Sequence, residues 1–257
     1  MIKELWTSFL DLVYPSNIYC INCGRPIDDR FPYSLCAYCV RRLRWANGAS
    51  CESCGKPMPV QAVNGLCGEC AERQRSFDRG YTCVSYGLPE RELVHQLKYR
   101  DKDYLASYFA ELMYERISAE GLRADLAVPV PMYKSKERRR GYNQAGLLAE
   151  YISDRLDIPC YPHLLVRISD TPPMSGLSAA ERRENVQGVF KTAKWVKNII
   201  KDKAVLLVDD IFTTGSTAEA CSTALKEAGA KQVYVLTFAA GMDAGKKPDN
   251  GIARVCG

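Results

Sequence analysis

The sequence predicts an α/β protein whose doubly wound parallel sheet follows a small cysteine-rich module. Four Cys-x-x-Cys pairs lie between positions 20 and 70, and beyond them apolar runs of strand length alternate with helical periods. A chain of 257 residues is also long for one compact domain and short for three. We therefore expect an N-terminal amphipathic helix at 1–16, a cysteine module at 17–73 and a larger α/β domain at 78–242.

The composition is that of a folded chain that stays in the cytoplasm. Hydrophobic residues make up 47% and charged residues 25%, and no stretch approaches the ~20 apolar residues of a membrane span. Glu4 and Asp11 interrupt any secretory signal, so we expect a cytoplasmic protein without stable membrane insertion. The apolar face of the first helix predicts docking on a core. A membrane-surface anchor is the alternative, although such anchors prefer a Lys/Arg-rich polar face.

The eight clustered cysteines form two copies of one pattern. Within each copy, twelve residues separate two Cys-x-x-Cys pairs, and the second copy begins thirty-one residues after the first. The copies are Cys20, Cys23, Cys36 and Cys39, followed by Cys51, Cys54, Cys67 and Cys70.

This spacing predicts two structural zinc sites. Cytosolic thiols are kept reduced, and a Cys-x-x-Cys turn brings two thiolates to a metal at ~2.3 Å. Four protein ligands per ion leave no position for a catalytic water, so we expect both ions to support folding. Iron–sulfur ligation and redox-active dithiols are the alternatives. The spacing is compatible with sequential pairing, one ion per copy, and with an interleaved arrangement.

The elements of the α/β domain are predicted from alternating apolar runs and helical periods. A polar stretch at 71–80 marks the boundary, and residues 169–184 have no period, which predicts a long functional loop. In chain order the elements are a strand at 81–86, a helix from 105 that ends before 121, a strand at 126–130, a helix at 147–156 capped by Asn143, a strand at 163–168, the loop, a strand at 204–208, a helix at 218–228 and a strand at 232–238.

The last three elements indicate where a ligand should bind. Residues 204–208 are continuously apolar, as expected of a strand buried on both faces of a parallel sheet, and Gly229 ends the following helix. Strand, loop, helix and strand in this order form a βαβ unit, and ligands of such sheets bind beyond the carboxyl ends of the strands. The site is therefore expected from Asp209 onward.

The segment after this strand has the composition of a phosphate-binding loop. Backbone N–H groups and hydroxyls at a helix N-terminus favour a phosphate, and this segment supplies them through Thr213, Thr214, Gly215, Ser216 and Thr217. Asp209 and Asp210 precede the loop, and two carboxylates would repel a phosphate unless they accept from hydroxyls or act through a cation. A ribose diol beyond a 5-phosphate meets this requirement.

Other classes of protein explain this segment less well. A capped helix after a buried strand accounts for the threonines but leaves the two acids unexplained. A response-regulator receiver also has paired acids, but only 47 residues follow Asp210, too few for its remaining elements. The glycine-rich patterns of dinucleotide-binding and P-loop proteins do not occur in the sequence.

A basic stretch at 131–143 holds most of the chain's formal net charge of +5. Its five cations stand against one acid, Glu137, and we interpret it as a loop that binds anionic groups. A solvated basic surface is the alternative. The cations are Lys134, Lys136, Arg138, Arg139 and Arg140.

Residues 205–217 resemble the 5-phosphoribosyl pyrophosphate (PRPP) binding loop of type I phosphoribosyltransferases, which has two acids followed by Thr-x-Gly-x-Thr. The whole chain is similar to the competence-protein F (ComF) family. The resemblance rests on the cysteine pattern, Val-Pro-Val-Pro at 128–131, Arg-Gly-Tyr-Asn-Gln at 140–144 and the segment 182–190. It implies a type I phosphoribosyltransferase fold behind an N-terminal double zinc ribbon.

The same resemblance assigns roles to residues. It implies that Asp209 and Asp210 hold the ribose hydroxyls, that 213–217 hold the 5-phosphate, and that Mg²⁺ accompanies PRPP. Residues 130–142 correspond to the pyrophosphate loop, with Lys134, Arg138, Arg139 and Arg140 as its basic groups. Residues 169–184 match the flexible loop that closes over the substrate in the transferases.

Two functions of different classes follow from the resemblance. The family's association with natural transformation implies a protein that handles imported single-stranded DNA, with a ComFA-like competence helicase and a recombination mediator as partners. Basic and aromatic residues that could track a single strand are Lys98, Tyr99, Arg100 and Lys102, with Arg140 and Tyr142. The alternative is an active phosphoribosyltransferase, a pentosyltransferase that joins PRPP to a base. A ligand-sensing regulator is a third, weaker possibility.

Overall fold

The computed structural model of the protein describes residues 18–28, 32–59, 64–97, 103–172, 177–193 and 195–242. The helix expected at 1–16 and the basic–aromatic run at 98–102 lie outside the described residues. Within the described ranges the strands are β1 (Arg79–Ser85), β2 (Leu126–Pro129), β3 (Leu165–Arg167), β4 (Phe190–Thr192), β5 (Ala204–Phe212) and β6 (Gln232–Ala240). They form a parallel four-stranded sheet in the order β1-β6-β5-β2 and a separate antiparallel pair, β3-β4.

Helices cover both faces of the parallel sheet. A short 3₁₀ turn at Pro32–Ser34 lies near the first cysteine group. The α-helices of the described residues are α1 (Ala37–Arg42), α2 (Gly68–Glu72), α3 (Leu88–Gln96), α4 (Leu105–Ser118), α5 (Lys134–Arg140), α6 (Gln144–Leu156), α7 (Ala179–Glu184), α8 (Lys197–Ile200) and α9 (Ser216–Glu227).

The alternation of side chains along β5 divides the core into two layers. Leu206 and Val208 belong to the cluster that contains α4 and α6, where the rings of Phe109 and Phe238 stack with centroids 4.4 Å apart. Val205 and Leu207 face the opposite layer, which contains α9 and the β3-β4 pair. Every β5 side chain from 205 to 208 is buried on one face of the sheet or the other, which explains why the sequence of this strand is continuously apolar.

The predicted α/β architecture with a parallel sheet is confirmed, and each strand and helix predicted for the described residues is present with shifted ends. Three predictions need correction. The basic stretch is the helix α5 rather than a loop, and residues 169–184 end in α7, which Ser178 and Glu181 cap reciprocally. The strand predicted at 163–168 lies outside the parallel sheet, paired with β4. The sequence patterns also did not predict α1, α2, α3, α8 and β4.

The two cysteine groups pack against opposite layers of this core. Cys20, Cys36 and Cys39 share a cluster with α4, whereas the second group shares the cluster that contains Phe212 and α9. Backbone hydrogen bonds tie both groups to β1: Ser85 N–H donates to the Arg44 carbonyl, and Gly80 N–H donates to the Ser53 carbonyl. A Cβ on Gly80 would overlap the backbone of Cys54, so this contact requires glycine.

Among the described residues, no helix combines the length and apolar character that crossing a bilayer demands.

Candidate anion-binding and metal sites

Each cysteine group has the geometry of a tetrahedral metal site. The sulfur atoms of 20, 23, 36 and 39 lie within 4.8 Å of one another, and so do those of 51, 54, 67 and 70. Cys23 Sγ is 3.7 Å from Cys36 Sγ, and Cys54 Sγ is 3.7 Å from Cys67 Sγ. A tetrahedron with Zn–S bonds of ~2.3 Å has S···S edges of about 3.8 Å, so the thiolates fit zinc. The pairing is sequential, with one group in each copy of the pattern.

The sulfur atoms of the two groups accept hydrogen bonds from different donors. In the first group, the Asn22 side-chain amide donates to Cys39 Sγ at 3.3 Å and the Cys36 backbone N–H donates to Cys20 Sγ at 3.4 Å. In the second group, Arg75 Nε donates to Cys70 Sγ at 3.3 Å. Such donors orient thiolate ligands and withdraw charge from them.

The segment Thr213–Thr217, which we call the anion loop, joins the carboxyl end of β5 to the N-terminus of α9. Gly215 is the N-cap residue of α9, with φ 75° in the left-handed region, and its carbonyl accepts the Glu219 N–H at 2.8 Å. The hydroxyls of Thr214 and Ser216 are 2.8 Å apart. The amides that follow Gly215 belong to the first helical turn, where N–H groups have no partner within the helix. The loop therefore has backbone N–H groups and hydroxyls that can donate to an anion.

Replacing Gly215 with alanine is expected to disrupt the anion loop. The left-handed φ costs a non-glycine residue about 1–2 kcal/mol, and a Cβ here would also overlap the Phe212 ring. Ribose 5-phosphate affinity, measured by calorimetry, should fall by about tenfold or more. Gly121→Ala is the matched control, because Gly121 has φ +64° but no atom within 4 Å of its added Cβ. Equal affinities for the two variants would contradict this role of Gly215.

The two acids line a cavity of about 570 Å³. Asp209 and Asp210 are half-buried residues of β5, and Asp209 Oδ1 accepts the backbone N–H of Asp210 at 2.9 Å. Val130, Pro131 and Met132 follow β2, the neighbouring strand, and line the same cavity. The cavity thus lies at the carboxyl ends of β2 and β5, which is where the sheet topology predicts a ligand.

The basic groups of this cavity come from α5 and from β3. Its lining includes Lys136, Arg139 and Arg140 of α5, with Arg167 of β3, and Thr217 of the anion loop. Of the other predicted basic residues, Lys134 lines an adjacent cavity of about 370 Å³, and Arg138 lines neither cavity. The remaining anion-loop residues, 213–216, do not line the first cavity in this structure. The site therefore brings together both acids, Thr217 and part of the predicted basic set.

Arg140 and Arg167 are the most enclosed cations of the site. Burial lowers the pKa of Arg140, and the negative charge of Asp210 acts in the opposite direction. Burial likewise lowers the pKa of Arg167, opposed by Asp170. Both guanidinium groups stay charged, because an arginine pKa is far above neutrality. The cavity therefore pairs two carboxylates with permanently cationic groups.

Sequence reasoning missed Arg167 and Gln144. Gln144 accepts a hydrogen bond from Arg140 Nη1 at 2.6 Å and donates to the Leu97 carbonyl at 3.4 Å, so it orients Arg140. Asn143 is the N-cap residue of α6, as predicted, but its side chain makes no capping hydrogen bond and donates to the Val130 carbonyl at 3.0 Å. The 140–144 motif contains both Arg140 and Gln144, but Arg140 ends α5 and Gln144 begins α6, so their contact depends on the turn at Gly141 rather than on a helical period.

Helix α5 also contacts the start of the predicted flexible loop. Lys136 Nζ forms an ion pair with Asp170 at 2.8 Å and donates to the Thr171 carbonyl at 3.0 Å. The Lys136 charge lowers the pKa of Asp170. Arg167 donates to the Thr171 hydroxyl and, from Nε, to the Ser169 carbonyl. Two cations of the cavity thus hold residues 169–171 beside it.

Fold and site define the class of the protein: a phosphoribosyltransferase-fold protein with a double zinc ribbon. A family model described as a double zinc ribbon domain matches residues 9–71, and one described as a phosphoribosyl transferase domain matches residues 140–256. Competence protein F of Haemophilus influenzae is 33% identical over 168 residues, which cover 63% of this chain and 73% of that protein. The chain belongs to the competence protein F family.

Two further relatives support this membership. DNA utilization protein YhgH of Escherichia coli strain K12 is 29% identical over 164 residues, which cover 62% of this chain and 70% of that protein. Competence protein ComFC of Bacillus subtilis strain 168 is 35% identical over 111 residues, covering 43% of this chain and 42% of that protein.

Proposed function

We propose that this protein binds PRPP with Mg²⁺ in the cavity at the ends of β2 and β5 and handles imported single-stranded DNA in the cytoplasm during natural transformation. The observation that carries the proposal is that two carboxylates, Asp209 and Asp210, line the same cavity as cations of α5 and Arg167. The proposed organisation is a docked helix at 1–16, a zinc ribbon at 17–73 and a PRPP-binding domain at 78–242.

The charges of the cavity match the parts of PRPP. The carboxylates of Asp209 and Asp210 accept hydrogen bonds from the ribose hydroxyls, and the anion loop receives the 5-phosphate. Lys136, Arg139 and Arg140, together with Arg167, surround the space for the pyrophosphate group. Lys134 and Arg138 lie on the same helix and extend the positive surface outward. Mg²⁺, when bound, neutralises pyrophosphate charge, and carboxylate oxygens of this kind are ligands that it prefers.

The two cysteine groups hold structural zinc in this proposal. All four ligands at each ion come from the protein, so neither ion has an open position for chemistry. Their packing against both layers of the core supports a role in folding.

The DNA role is supported by the family and by the surface of α5. Relatives in the family bear the names competence protein and DNA utilization protein. On α5, Arg138 and Arg139 are exposed, whereas Arg140 is partly covered and turned to Gln144. An exposed cation pair beside an anion-binding cavity suits the phosphates of a single strand. A ComFA-like helicase and a recombination mediator are the proposed protein partners.

Reversing the charge of Arg138 is expected to weaken single-stranded DNA binding. In Arg138→Glu, a contact with one backbone phosphate is lost, so the slope of log affinity against log salt should decrease by about 0.7. The loss should be the same for unrelated oligonucleotide sequences, and PRPP affinity should stay within twofold. Fluorescence anisotropy at several salt concentrations measures the first effect and calorimetry the second.

The matched control for this variant is Arg123→Glu. Arg123 is exposed and precedes β2, at the opposite end of the strand from α5. The same decrease in DNA affinity for both variants would assign the effect to net charge alone and would contradict the proposed surface.

An active phosphoribosyltransferase is the second candidate, and the cationic lining of the cavity favours it. Pyrophosphate leaves with negative charge, which Arg139, Arg140 and Arg167 would stabilise in the transition state. Closure of residues 169–184 over the cavity would exclude water.

One titration distinguishes these candidates. Zinc-loaded protein is titrated with PRPP and Mg²⁺ in the calorimeter, alone and with a single-stranded oligonucleotide present, and a mixture of bases is then added. PRPP binding that alters DNA affinity, without pyrophosphate release, supports the DNA-handling role. Pyrophosphate release on addition of a base supports the transferase. An absence of PRPP binding overturns the proposal.

A further inference from the structure

The segment between the second cysteine group and β1 contacts the anion loop. The guanidinium group of Arg75 bonds to both the second cysteine group and the anion loop. Its Nε donates to Cys70 Sγ at 3.3 Å, and its Nη1 donates to the Thr214 carbonyl at 3.3 Å. The third nitrogen, Nη2, donates to Glu69 Oε2 at 3.0 Å. The side chain is only 6% exposed, so little solvent competes for these bonds.

The bond to Thr214 fixes a peptide group of the anion loop. The peptide unit is planar and trans, so its C=O and N–H point in opposite directions. With the Thr214 carbonyl held by Arg75, the N–H of Gly215 points away from Arg75. Rotation of this peptide would break the Arg75 bond and redirect an N–H group of the loop. The orientation of one anion-loop donor is therefore linked to a ligand of the second cysteine group.

Ser76 and Phe77, which follow Arg75, add contacts between this segment and the residues that flank the anion loop. The backbone N–H and hydroxyl of Ser76 donate to Glu219 Oε1 at 3.0 and 2.7 Å, and the Glu219 backbone N–H donates to the Gly215 carbonyl. The Phe77 ring packs edge-on against Phe212, with centroids 6.2 Å apart. Phe212 is the residue that leaves no space for a Cβ on Gly215. Three consecutive residues thus contact the anion loop and the residues that flank it on both sides.

Charge balance explains why an arginine occupies position 75. Four thiolates around Zn²⁺ leave a net charge of −2, and this charge is buried with the second group. Lys56 and Arg75 are the cations beside it, with side chains 7% and 6% exposed, and both bind Glu69 Oε2. The negative charge of the metal site attracts the Arg75 guanidinium and holds it there. In this position the same guanidinium also bonds to the anion loop.

We infer that Arg75 is a positioning residue through which the second zinc site holds the anion loop in its binding conformation. The inference rests on the proposed function, because it takes the loop to bind the 5-phosphate of PRPP. Coupling of this kind is reciprocal, so an anion in the loop also perturbs the second metal site. Among the described residues, the side chain that donates to a sulfur atom of the first group is Asn22, which makes no bond to the anion loop, so we assign this role to the second group.

Arg75→Lys tests the inference with the charge retained. A single ammonium cannot bind Cys70 Sγ, Glu69 and the Thr214 carbonyl together as the guanidinium does. We expect ribose 5-phosphate affinity to fall about tenfold while two zinc ions per chain and the thermal midpoint are retained. Lys56→Met is the matched control: it removes the other buried cation of the same metal site, whose bond goes to Glu69, and should leave the affinity unchanged.

A second measurement needs no substitution. Zn²⁺ has a full d shell and is spectroscopically silent, so both sites are loaded with Co²⁺. The thiolate-to-cobalt charge-transfer bands report hydrogen bonding to sulfur. Ribose 5-phosphate should shift these bands in the unsubstituted protein. It should shift them equally in Asn22→Ala, because that variant removes a hydrogen-bond donor to sulfur in the first cysteine group and leaves the second group unchanged. The shift should disappear in Arg75→Lys.

Failure of this inference can be told apart from failure of the proposed function. If the unsubstituted protein binds neither ribose 5-phosphate nor PRPP, the proposed function and the inference are both wrong. If it binds them but Arg75→Lys binds equally well, or if the cobalt spectrum does not respond, only the inference is overturned. A tenfold loss in Arg75→Lys with full zinc content, together with a cobalt response, supports it.

Discussion

Replacing both Asp209 and Asp210 with asparagine is expected to abolish PRPP binding while the fold is retained. A hydrogen bond to a charged group contributes about 1.5–3 kcal/mol, so losing two corresponds to about a hundredfold or more in affinity. The fold should persist because asparagine keeps an oxygen at Oδ1, which can still accept the backbone N–H of residue 210. Calorimetric titration with PRPP and Mg²⁺ measures the loss, and a thermal melt verifies the fold.

Inorganic phosphate provides the sharpest control for the double variant. Two carboxylates near the anion loop repel a phosphate, so removing their charge should leave phosphate affinity unchanged or increase it. A variant that loses PRPP but keeps phosphate therefore shows that the carboxylates bind the part of PRPP beyond its 5-phosphate, directly or through Mg²⁺. Asp154→Asn, at an exposed position of α6 outside the cavity lining, should behave like the unsubstituted protein. Undiminished PRPP affinity in the double variant would mean that the loop does not bind the ribose phosphate as proposed.

The parts of the site that the sequence predicted are those encoded locally. The acid pair and the anion loop lie within nine consecutive residues, 209–217, after a continuously apolar run and at the start of a helix with a clear period. The cysteine groups are likewise local, because each closes within twenty residues. In both cases the chemistry could be inferred from spacing, without knowledge of the tertiary fold.

Arg167 could not be predicted in this way, because its position depends on a distant pairing. It lies in β3 opposite Phe190 of β4, and its guanidinium lies over the Phe190 ring at 5.6 Å. The sequence predicts the strand around Arg167, but β4 is only three residues long and has too little pattern to be assigned, so the pairing of the two strands could not be predicted. Only the antiparallel pairing brings Arg167 to the cavity.

Helix α5 was misjudged for a different reason. Its sequence, KSKERRR, has no apolar period, and none of its residues is buried, so the usual signal of an amphipathic helix is missing. The end signals were present: Gly141 follows with φ 98°, and three arginines occupy the last turn, where cations complement the helix dipole. The capping residues, rather than periodicity, identify this helix.

Removal of zinc is expected to unfold the cysteine module, residues 17–73. Structural zinc contributes about 10–16 kcal/mol of apparent folding free energy in isolated zinc fingers, as much as the entire stability of a typical domain. The cysteines also belong to both layers of the core, so loss of the module exposes apolar residues around Phe109 and Phe212. Incubation with EDTA followed by hydrogen exchange should show loss of protection in the module and a lower thermal midpoint for the remainder.

Single substitutions separate the two metal sites. Cys39→Ser and Cys54→Ser should each reduce the zinc content from two ions to one, whereas Cys160→Ser, a half-buried thiol outside both groups, should keep both. Loss of the second metal site should also disturb the anion loop, because Arg75 connects Cys70 of that site to the Thr214 carbonyl. We therefore expect Cys54→Ser to lose ribose 5-phosphate affinity and Cys39→Ser to retain more of it. A cooperative, fully protected module after complete zinc removal would contradict a structural role, because the buried thiols alone would then hold the fold.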